Sequence, residues 1–236
     1  MNLLTKISQV ENLGEEVSHA LESSLVVHVQ NFRSLDSSFW YSVASEIGTP
    51  CVMDEDRTSG DKTGSFWIDV KYDPDYPQHF IHANVRQPFH TDGSYESQAP
   101  NITFFYCIKE ADFGGATTFL DCSTIQECLQ REQPKLLEEL RRTKIKFSKG
   151  SDSKQIEVFH HDCCNWNWFR SDKSKLASDF HAFLEERIWP MGLAHSIKLQ
   201  AGEALFFRDD RILHGRNAFM GARWLKKGGI KWIPKS

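Results

Sequence analysis

The sequence predicts a mainly β protein with helices, organised as a jelly-roll sandwich with helical decoration. Short apolar or alternating runs recur along the chain, and such alternation is typical of half-buried strands. Stretches with helical spacing are few, and they do not alternate regularly with the strands as in a parallel β-α-β sheet. The length of 236 residues and the hydrophobic content of 40% suit one core, so residues 1–236 are predicted to form a single domain.

The predicted strands are short runs rich in β-branched, aromatic or alternating residues. The first, residues 25–32, reads LVVHVQNF and predicts a buried strand. A polar segment, residues 49–76, predicts a long loop with one apolar island, and loops of this length are often lids or binding loops. The remaining predicted strands are 65–70 in that island, 78–85, 101–109, 115–122, 144–149, 155–161, 165–169, 195–200, 203–209, 211–217 and 228–233.

Helices are predicted in three stretches. Ser34 can cap a helix that Gly48 ends, because serine accepts backbone N–H bonds and glycine suits helix ends. Residues 123–142 predict two short helices, with Pro134 in the first turn of the second. Residues 174–189 are amphipathic at helical spacing.

Composition excludes several classes of protein. The net charge of −4 does not indicate nucleic-acid binding, and no apolar run reaches the length of about 18 residues that a membrane span needs. The first residues lack the apolar region of a secretory signal. The six cysteines form no C-x-x-C pair, which indicates reduced thiols and a cytoplasmic location.

The stretch PFHTDGSY contains a histidine and an aspartate two residues apart, His90 and Asp92. Residues i and i+2 of a strand face the same way, so both side chains are expected to project together. The following Gly93 makes a turn after Asp92 and places the pair at a strand end. Taken alone, a turn aspartate beside a surface histidine is the simpler interpretation, because such tripeptides arise by chance.

Three later features favour a metal site. His214, in RILHGRNAF, offers a second imidazole on a predicted strand, and two histidines with one carboxylate are the ligand set of non-haem Fe(II) oxygenases. Arg223 lies nine residues further on and offers the bidentate fork that the far carboxylate of a dicarboxylate co-substrate needs. Thr117, in GGATTFLD, offers a hydroxyl beside it.

Together, FHTDGSY, GGATTFLD, AGEALFFRDDRILHGRNAF and RWLKK resemble the Fe(II)/2-oxoglutarate-dependent dioxygenases of the taurine dioxygenase and clavaminate synthase type. The resemblance extends from about residue 87 to the C-terminus. It implies a double-stranded β-helix, the cupin-like jelly roll, and a reaction that uses Fe(II), 2-oxoglutarate and O₂. It also implies that His90, Asp92 and His214 are the catalytic metal ligands and that Thr117 and Arg223 bind 2-oxoglutarate.

The chain departs from these relatives in the short interval between His214 and Arg223 and in its small size, which predicts a reduced lid. Arg216 is the alternative co-substrate anchor, but on a strand it would share the face of His214, too near the metal. Arg86, four residues before His90, and more weakly Asn84, are candidate anchors for a substrate carboxylate; the alternative for Arg86 is a surface arginine. A carboxylate at Asp92 fills the position that related halogenases leave open for chloride, which favours hydroxylation.

Several functions remain open at this point. The main hypothesis is oxidation of an unactivated C–H bond of a small, amino-acid-like molecule or biosynthetic intermediate, free or bound to a carrier protein. Desaturation or cyclisation by the same family is the first alternative. A non-catalytic cupin-like binding module and a metal-dependent hydrolase or isomerase are the others, and neither needs an Arg and Thr pair beside a metal. The sequence does not determine the oligomeric state.

Overall fold

The computed structural model describes residues 1–54, 63–76 and 79–234. The α-helices in these ranges are α1 Leu13–Ser23, α2 Ser37–Ile47, α3 Cys122–Glu132, α4 Pro134–Arg142 and α5 Lys175–Ala182. A π-helical turn, Phe183–Ile188, continues α5, and 3₁₀ turns occur at Trp168–Arg170 and Trp189–Met191. The strands are β1 Asn2–Ile7, β2 Ser24–Val29, β3 Thr49–Cys51, β4 Ile68–Lys71, β5 Gln87–His90, β6 Ile102–Lys109, β7 Phe113–Gly114, β8 Thr117–Asp121, β9 Ile145–Lys149, β10 Asp152–Ile156, β11 Phe159–His160, β12 Cys163–Cys164, β13 His195–Ile197, β14 Ala204–Arg208, β15 Ile212–Arg216, β16 Phe219–Met220 and β17 Trp224–Lys231.

Two sheets form the sandwich in the described part of the chain. The major sheet has the order β1-β2-β14-β6-β17-β3, with β4 also paired to β17, and all its pairs except β1–β2 are antiparallel. The minor sheet is antiparallel and has the order β13-β8-β15-β5. Neighbours distant in sequence lie side by side in both sheets, as jelly-roll connections require. The mainly β, double-stranded β-helix fold is therefore confirmed.

Apolar side chains fill three layers. Helices α1 and α2 cover one face of the major sheet, where Trp40 packs on Tyr106 and Phe206. The inner layer joins the two sheets, and Phe119 and Phe207 meet there with ring centroids 5.1 Å apart. Helices α3, α4 and α5 bury the third cluster against the minor sheet. The strands that carry His90 and His214, β5 and β15, enclose this inner layer.

The predicted helices are present, but aspartates cap two of them. Asp36 Oδ1 accepts the N–H of Ser38 at the start of α2, and Asp121 Oδ1 accepts that of Ser123 at the start of α3. The predicted cap Ser34 is therefore wrong by two residues, because the carboxylate of Asp36 accepts the first free N–H group. Gly48 ends α2 and Pro134 begins α4, as expected.

Two predicted strands are absent from the described residues. In the predicted strand 78–85, Gln78 lies outside the described residues and the rest forms turns, in which His79 O accepts the N–H groups of His82 and Ala83. The predicted strand 165–169 ends in a 3₁₀ turn, because Asn167 Oδ1 accepts the N–H of Phe169. Of the long loop 49–76, residues 55–62 lie outside the described residues; the island strand is present as β4.

The expectation of six reduced cysteines is wrong in one respect, because Cys122 and Cys164 form a disulfide. Cys164 N–H donates to Asp210 O and Cys122 N–H to Arg211 O, so two neighbouring carbonyls bring together cysteines 42 residues apart. Cys51, Cys107, Cys128 and Cys163 are thiols outside any disulfide. Among the described residues, no helix has the length and apolar character that crossing a bilayer requires.

Candidate metal centre

His90, Asp92 and His214 converge in the minor sheet. His90 ends β5, Asp92 lies in the turn after it, and His214 lies in β15 directly opposite His90. Each residue offers one donor atom, and these donor atoms lie within 4.8 Å of one another. The two imidazole centroids are 4.2 Å apart. The structure thus brings together all three predicted ligands, and two imidazoles with one carboxylate suit Fe(II).

Each imidazole presents Nε2 to the centre. His90 Nδ1–H donates to Pro88 O at 2.9 Å, which leaves the lone pair on Nε2. The side-chain amide of Gln87 donates to this Nε2 at 3.2 Å, a contact that a bound metal would replace. Nδ1 of His214 lies 3.0 Å from Asp209 Oδ1, although the angle is unfavourable for a hydrogen bond. Burial lowers the pKa of both histidines to about 4, so the imidazoles are neutral at pH 7, the form that binds metals.

Asp92 is held in its ionised form. Burial opposes ionisation, but the Lys227 ammonium, 2.6 Å from Oδ1, and then the two imidazoles keep the pKa of this carboxyl well below its usual range. The other oxygen, Oδ2, lies 3.5 Å from His214 Nε2. The carboxylate therefore presents Oδ1 to Lys227, with His90 Nε2 3.9 Å from the same oxygen, and Oδ2 to His214.

Asp209 forms a second layer behind the ligands. Its Oδ2 accepts the backbone N–H of Asp92 at 2.8 Å, and the Thr103 hydroxyl lies 3.4 Å from Oδ2 of both aspartates. Burial and then the charge of Asp92 raise the pKa of Asp209. Asp209 therefore supports Asp92 through a hydrogen bond and lies beside His214, 3.0 Å from its Nδ1, without one.

Thr117 and Arg223 line one small pocket together with Cys107, Gly115 and Leu225, and the exposed Lys198 lies at its edge. Among the described residues, the one hydrogen bond of the Arg223 side chain runs from Nε to Gly115 O, and the guanidinium forms no ion pair there. Burial and then repulsion by Arg216 lower the pKa of Arg223 to about 9. A buried cation in this position is suited to an incoming carboxylate.

Arg216, the alternative anchor, has a different environment. Its guanidinium donates to the carbonyl oxygens of Phe80, Ala83 and Val85, at 3.1, 2.7 and 2.8 Å. The side chain thus fastens the segment before β5 to β15. These bonds occupy the fork of Arg216, which favours Arg223 for the co-substrate.

The two candidate substrate anchors lie away from these contacts. Arg86 pairs with Glu185 and stacks on Trp189, with its guanidinium carbon 4.3 Å from the ring centroid. Asn84 is exposed, and its backbone carbonyl oxygen accepts the N–H of Phe219. Neither side chain is brought to the three ligands by a described contact, so their roles in substrate binding stay predictions.

Sequence reasoning missed Lys227 and Asp209. Lys227 follows Arg223 by four residues, so period-two alternation would have placed both on one face of β17. Asp209 stands in RDDRILH, five residues before His214, in the turn between β14 and β15. The sequence signal that could have identified Asp209 was the acidic pair Asp209 and Asp210, which stands in a turn shortly before His214.

The sequence of this chain is similar to those of known dioxygenases. The family model described as taurine catabolism dioxygenase TauD, TfdA family matches residues 4–189, a range that includes His90 and Asp92 but not His214. The chain is 25% identical over 170 residues to 3-((Z)-2-isocyanoethenyl)-1H-indole synthase of Fischerella ambigua, covering 61% of this chain and 62% of the relative. It is also 25% identical over 166 residues to trimethyllysine dioxygenase of Meyerozyma guilliermondii, covering 60% and 41%. The matches thus span less than two thirds of these relatives.

Solved structures share the fold across nearly the whole chain. Asparagine oxygenase, in complex with Fe(II), 2S,3S-3-hydroxyasparagine and succinate, superposes with a TM-score of 0.72 at 12% identity, covering 96% of this chain and 93% of the other. PvcB from Pseudomonas aeruginosa superposes with a TM-score of 0.71 at 16% identity, covering 97% and 86%. At these identities the likeness establishes a common fold.

Proposed function

The chain belongs to the TauD/TfdA family of dioxygenases, and from that premise we propose that it is an Fe(II)/2-oxoglutarate-dependent dioxygenase that hydroxylates an unactivated C–H bond of a small, amino-acid-like molecule. The observation that carries the proposal is the convergence of His90, Asp92 and His214, whose donor atoms lie within 4.8 Å of one another. A binding module without turnover has no need for this buried polar set, whose burial is costly unless it is used.

Separate residues of the chain would bind the metal and the co-substrate. His90, Asp92 and His214 would hold the iron from one side, which leaves positions on the other side for ligands. Iron with 2-oxoglutarate and O₂ supplies the oxidising power that cleaves an unactivated C–H bond. Arg223 would bind the far carboxylate of 2-oxoglutarate through its guanidinium, with the Thr117 hydroxyl beside it. A substrate held beside this fixed set is oxidised at the carbon nearest the metal.

Substrate class is proposed by analogy with the structural neighbours. One of them is an asparagine oxygenase, and another, OrfP, was solved with hydroxylated arginine. An amino acid, free or linked to a carrier protein, fits this pattern, and a cytoplasmic location fits such a substrate. Arg86 is the proposed anchor of its carboxylate, which requires that Arg86 exchange Glu185 for substrate.

Desaturation or cyclisation by the same family is the alternative outcome, and the neighbours solved with hydroxylated amino acids do not favour it. Desaturation or cyclisation would use the same residues. Product mass separates the outcomes, because hydroxylation adds one oxygen atom whereas desaturation and ring closure remove two hydrogens.

The decisive experiment loads the purified protein with Fe(II) under anaerobic conditions and titrates 2-oxoglutarate, recording the visible absorption band of the bound keto acid. We expect the band in the wild type and in a control with exposed His195→Ala, and its loss in His90→Ala. Amino acids are then screened for stimulated succinate release. A folded, iron-bearing wild type without the band would refute the proposed function.

A further inference from the structure

Lys227 is a buried cation inside the sandwich. It lies in β17, opposite Phe105 of β6 and Ile68 of β4, and only 8% of the residue is exposed. Alternation along the strand places Arg223 and Lys227 on one face, about 13 Å apart at the usual rise of a strand. The neighbouring Lys226 points to the other face and pairs there with Asp69.

The ammonium of Lys227 is directed at a candidate metal ligand. Its Nζ lies 2.6 Å from Asp92 Oδ1, which makes this a short, charge-assisted contact. Oδ1 is 3.9 Å from His90 Nε2, whereas Oδ2 is 3.5 Å from His214 Nε2. Lys227 therefore binds Oδ1, and Oδ2, which accepts a long 3.4 Å hydrogen bond from the Thr103 hydroxyl, is the oxygen left for the metal.

Two further ionisable groups, Lys149 and Asp209, lie near Lys227. Its charge depresses the pKa of Lys149, to about 8, after the larger effects of burial and Arg170. Asp209 supplies a second buried carboxyl near the first, through its bond to the backbone N–H of Asp92. A buried ammonium in this position is stable because Asp92 pairs with it.

We propose that Lys227 sets the metal affinity and the coordination of the site by reserving Asp92 Oδ1, so that Asp92 binds the metal through Oδ2 alone. This inference rests on the proposed function, since it takes His90, Asp92 and His214 as the metal ligands. Lys227 is a positioning residue that acts through Asp92. Its positive charge also repels a divalent cation a few ångströms away, so the site binds the metal more weakly than the three ligands alone would.

The test measures metal affinity in the absence of turnover. Mn(II) is titrated into the metal-free protein, and the unbound ion is quantified by its EPR signal. Lys227→Met and Lys227→Gln remove the charge, Lys227→Arg retains it, and Lys226→Met is the matched control on the opposite face of the same strand. Circular dichroism verifies that each variant is folded, and the glutamine variant keeps a hydrogen-bond donor for Asp92 in case the methionine variant does not fold.

The expected result is Mn(II) binding at least about tenfold tighter in Lys227→Met and Lys227→Gln, because the repulsion is removed and both oxygens of Asp92 become free. Lys227→Arg and Lys226→Met should stay within about threefold of the wild type, on the same electrostatic reasoning. Unchanged or weaker binding in both neutral variants, with normal binding in the wild type, would overturn the role of Lys227 alone. Absence of binding in every folded protein would overturn the metal site and the proposed function as well.

Discussion

Replacement of Arg223 tests the co-substrate site most directly. A guanidinium that grips a carboxylate with two charge-assisted hydrogen bonds contributes about 1.5–3 kcal/mol for each bond, less the cost of desolvation. Arg223 is 6% exposed, so water cannot replace the lost contacts. A net loss of about 3 kcal/mol raises the Kd of 2-oxoglutarate by roughly a hundredfold in Arg223→Met. Arg223→Lys keeps the charge but loses the fork, so about tenfold is expected.

The assay is titration of 2-oxoglutarate into the anaerobic Fe(II) protein, followed by the visible band of the bound keto acid. Lys198→Met is the control, because Lys198 lines the same cavity but is exposed. Iron binding is measured separately and should be unchanged in all three variants. A Kd in Arg223→Met within about threefold of the wild type would refute the assignment, because so small a change excludes a bidentate contact in a buried site. Such a result would not make Arg216 the co-substrate anchor instead, because both of its terminal guanidinium nitrogens already donate to backbone carbonyl oxygens.

Three further predictions follow from the layer around the centre and from the rest of the fold. Asp209→Asn should weaken Mn(II) binding about 10- to 100-fold, because Asp209 supports the candidate ligands from behind. Asp210→Asn, which disrupts only the partly exposed ion pair with Arg208, should leave Mn(II) binding unchanged. Equal effects of the two substitutions would contradict the supporting role of Asp209. Thiol titration of the unreduced, unfolded protein should find only the four free cysteines, and six would show that the Cys122–Cys164 bond does not form. Burial, opposed by Glu203, lowers the pKa of His28, so at this residue the folded state binds fewer protons than the unfolded state. As the pH drops below 6.5, His28 should therefore reduce the free energy of unfolding by up to about 1.4 kcal/mol per pH unit. Urea unfolding at each pH should show a fall that is less steep in His28→Gln than in the wild type, by up to that amount per pH unit.

Local patterning predicted the strands of the sandwich well. The predicted strand at 101–109 is Ile102–Lys109 in the structure, and the one at 211–217 is Ile212–Arg216. Both are dominated by buried side chains, so their apolar character reflects a requirement of the core itself. The predicted strand at 165–169 failed because a single side chain, Asn167, offers the backbone a competing hydrogen bond.

The candidate metal ligands could also be identified from sequence, because His90 and Asp92 are two residues apart at a strand end and His214 stands in a distinctive motif. The groups around them could not be predicted from a resemblance alone. A lysine in a strand usually indicates a solvent-facing position, yet Lys227 is buried because Asp92 pairs with it across the sandwich. The Cys122–Cys164 contact depends on two carbonyls from the β14–β15 turn, which no spacing between the cysteines reveals.

The short interval between His214 and Arg223 is explained by the sheet pairing. Arg223 does not depend on the length of that interval, because it directly precedes β17, whose register against β6 is set by pairs such as Leu225 with Cys107. The connection is closed instead by the two-residue strand β16 and a turn at Gly221, where φ is +82°. A shorter connection can thus be accommodated without moving the arginine.

The same strand then accounts for the charges at both ends of the site. β17 is central in the major sheet, paired with β6 on one side and with β3 and β4 on the other, so its side chains are held at fixed spacing. One face presents Arg223 to the small cavity with Thr117 and Lys227 to Asp92. A dianionic co-substrate bound as proposed, by Arg223 at one end and the metal at the other, would lie along this face between two cations. Because that dianion offsets the repulsion between Lys227 and the metal, we expect metal and co-substrate to bind cooperatively, each raising the affinity for the other by the same factor.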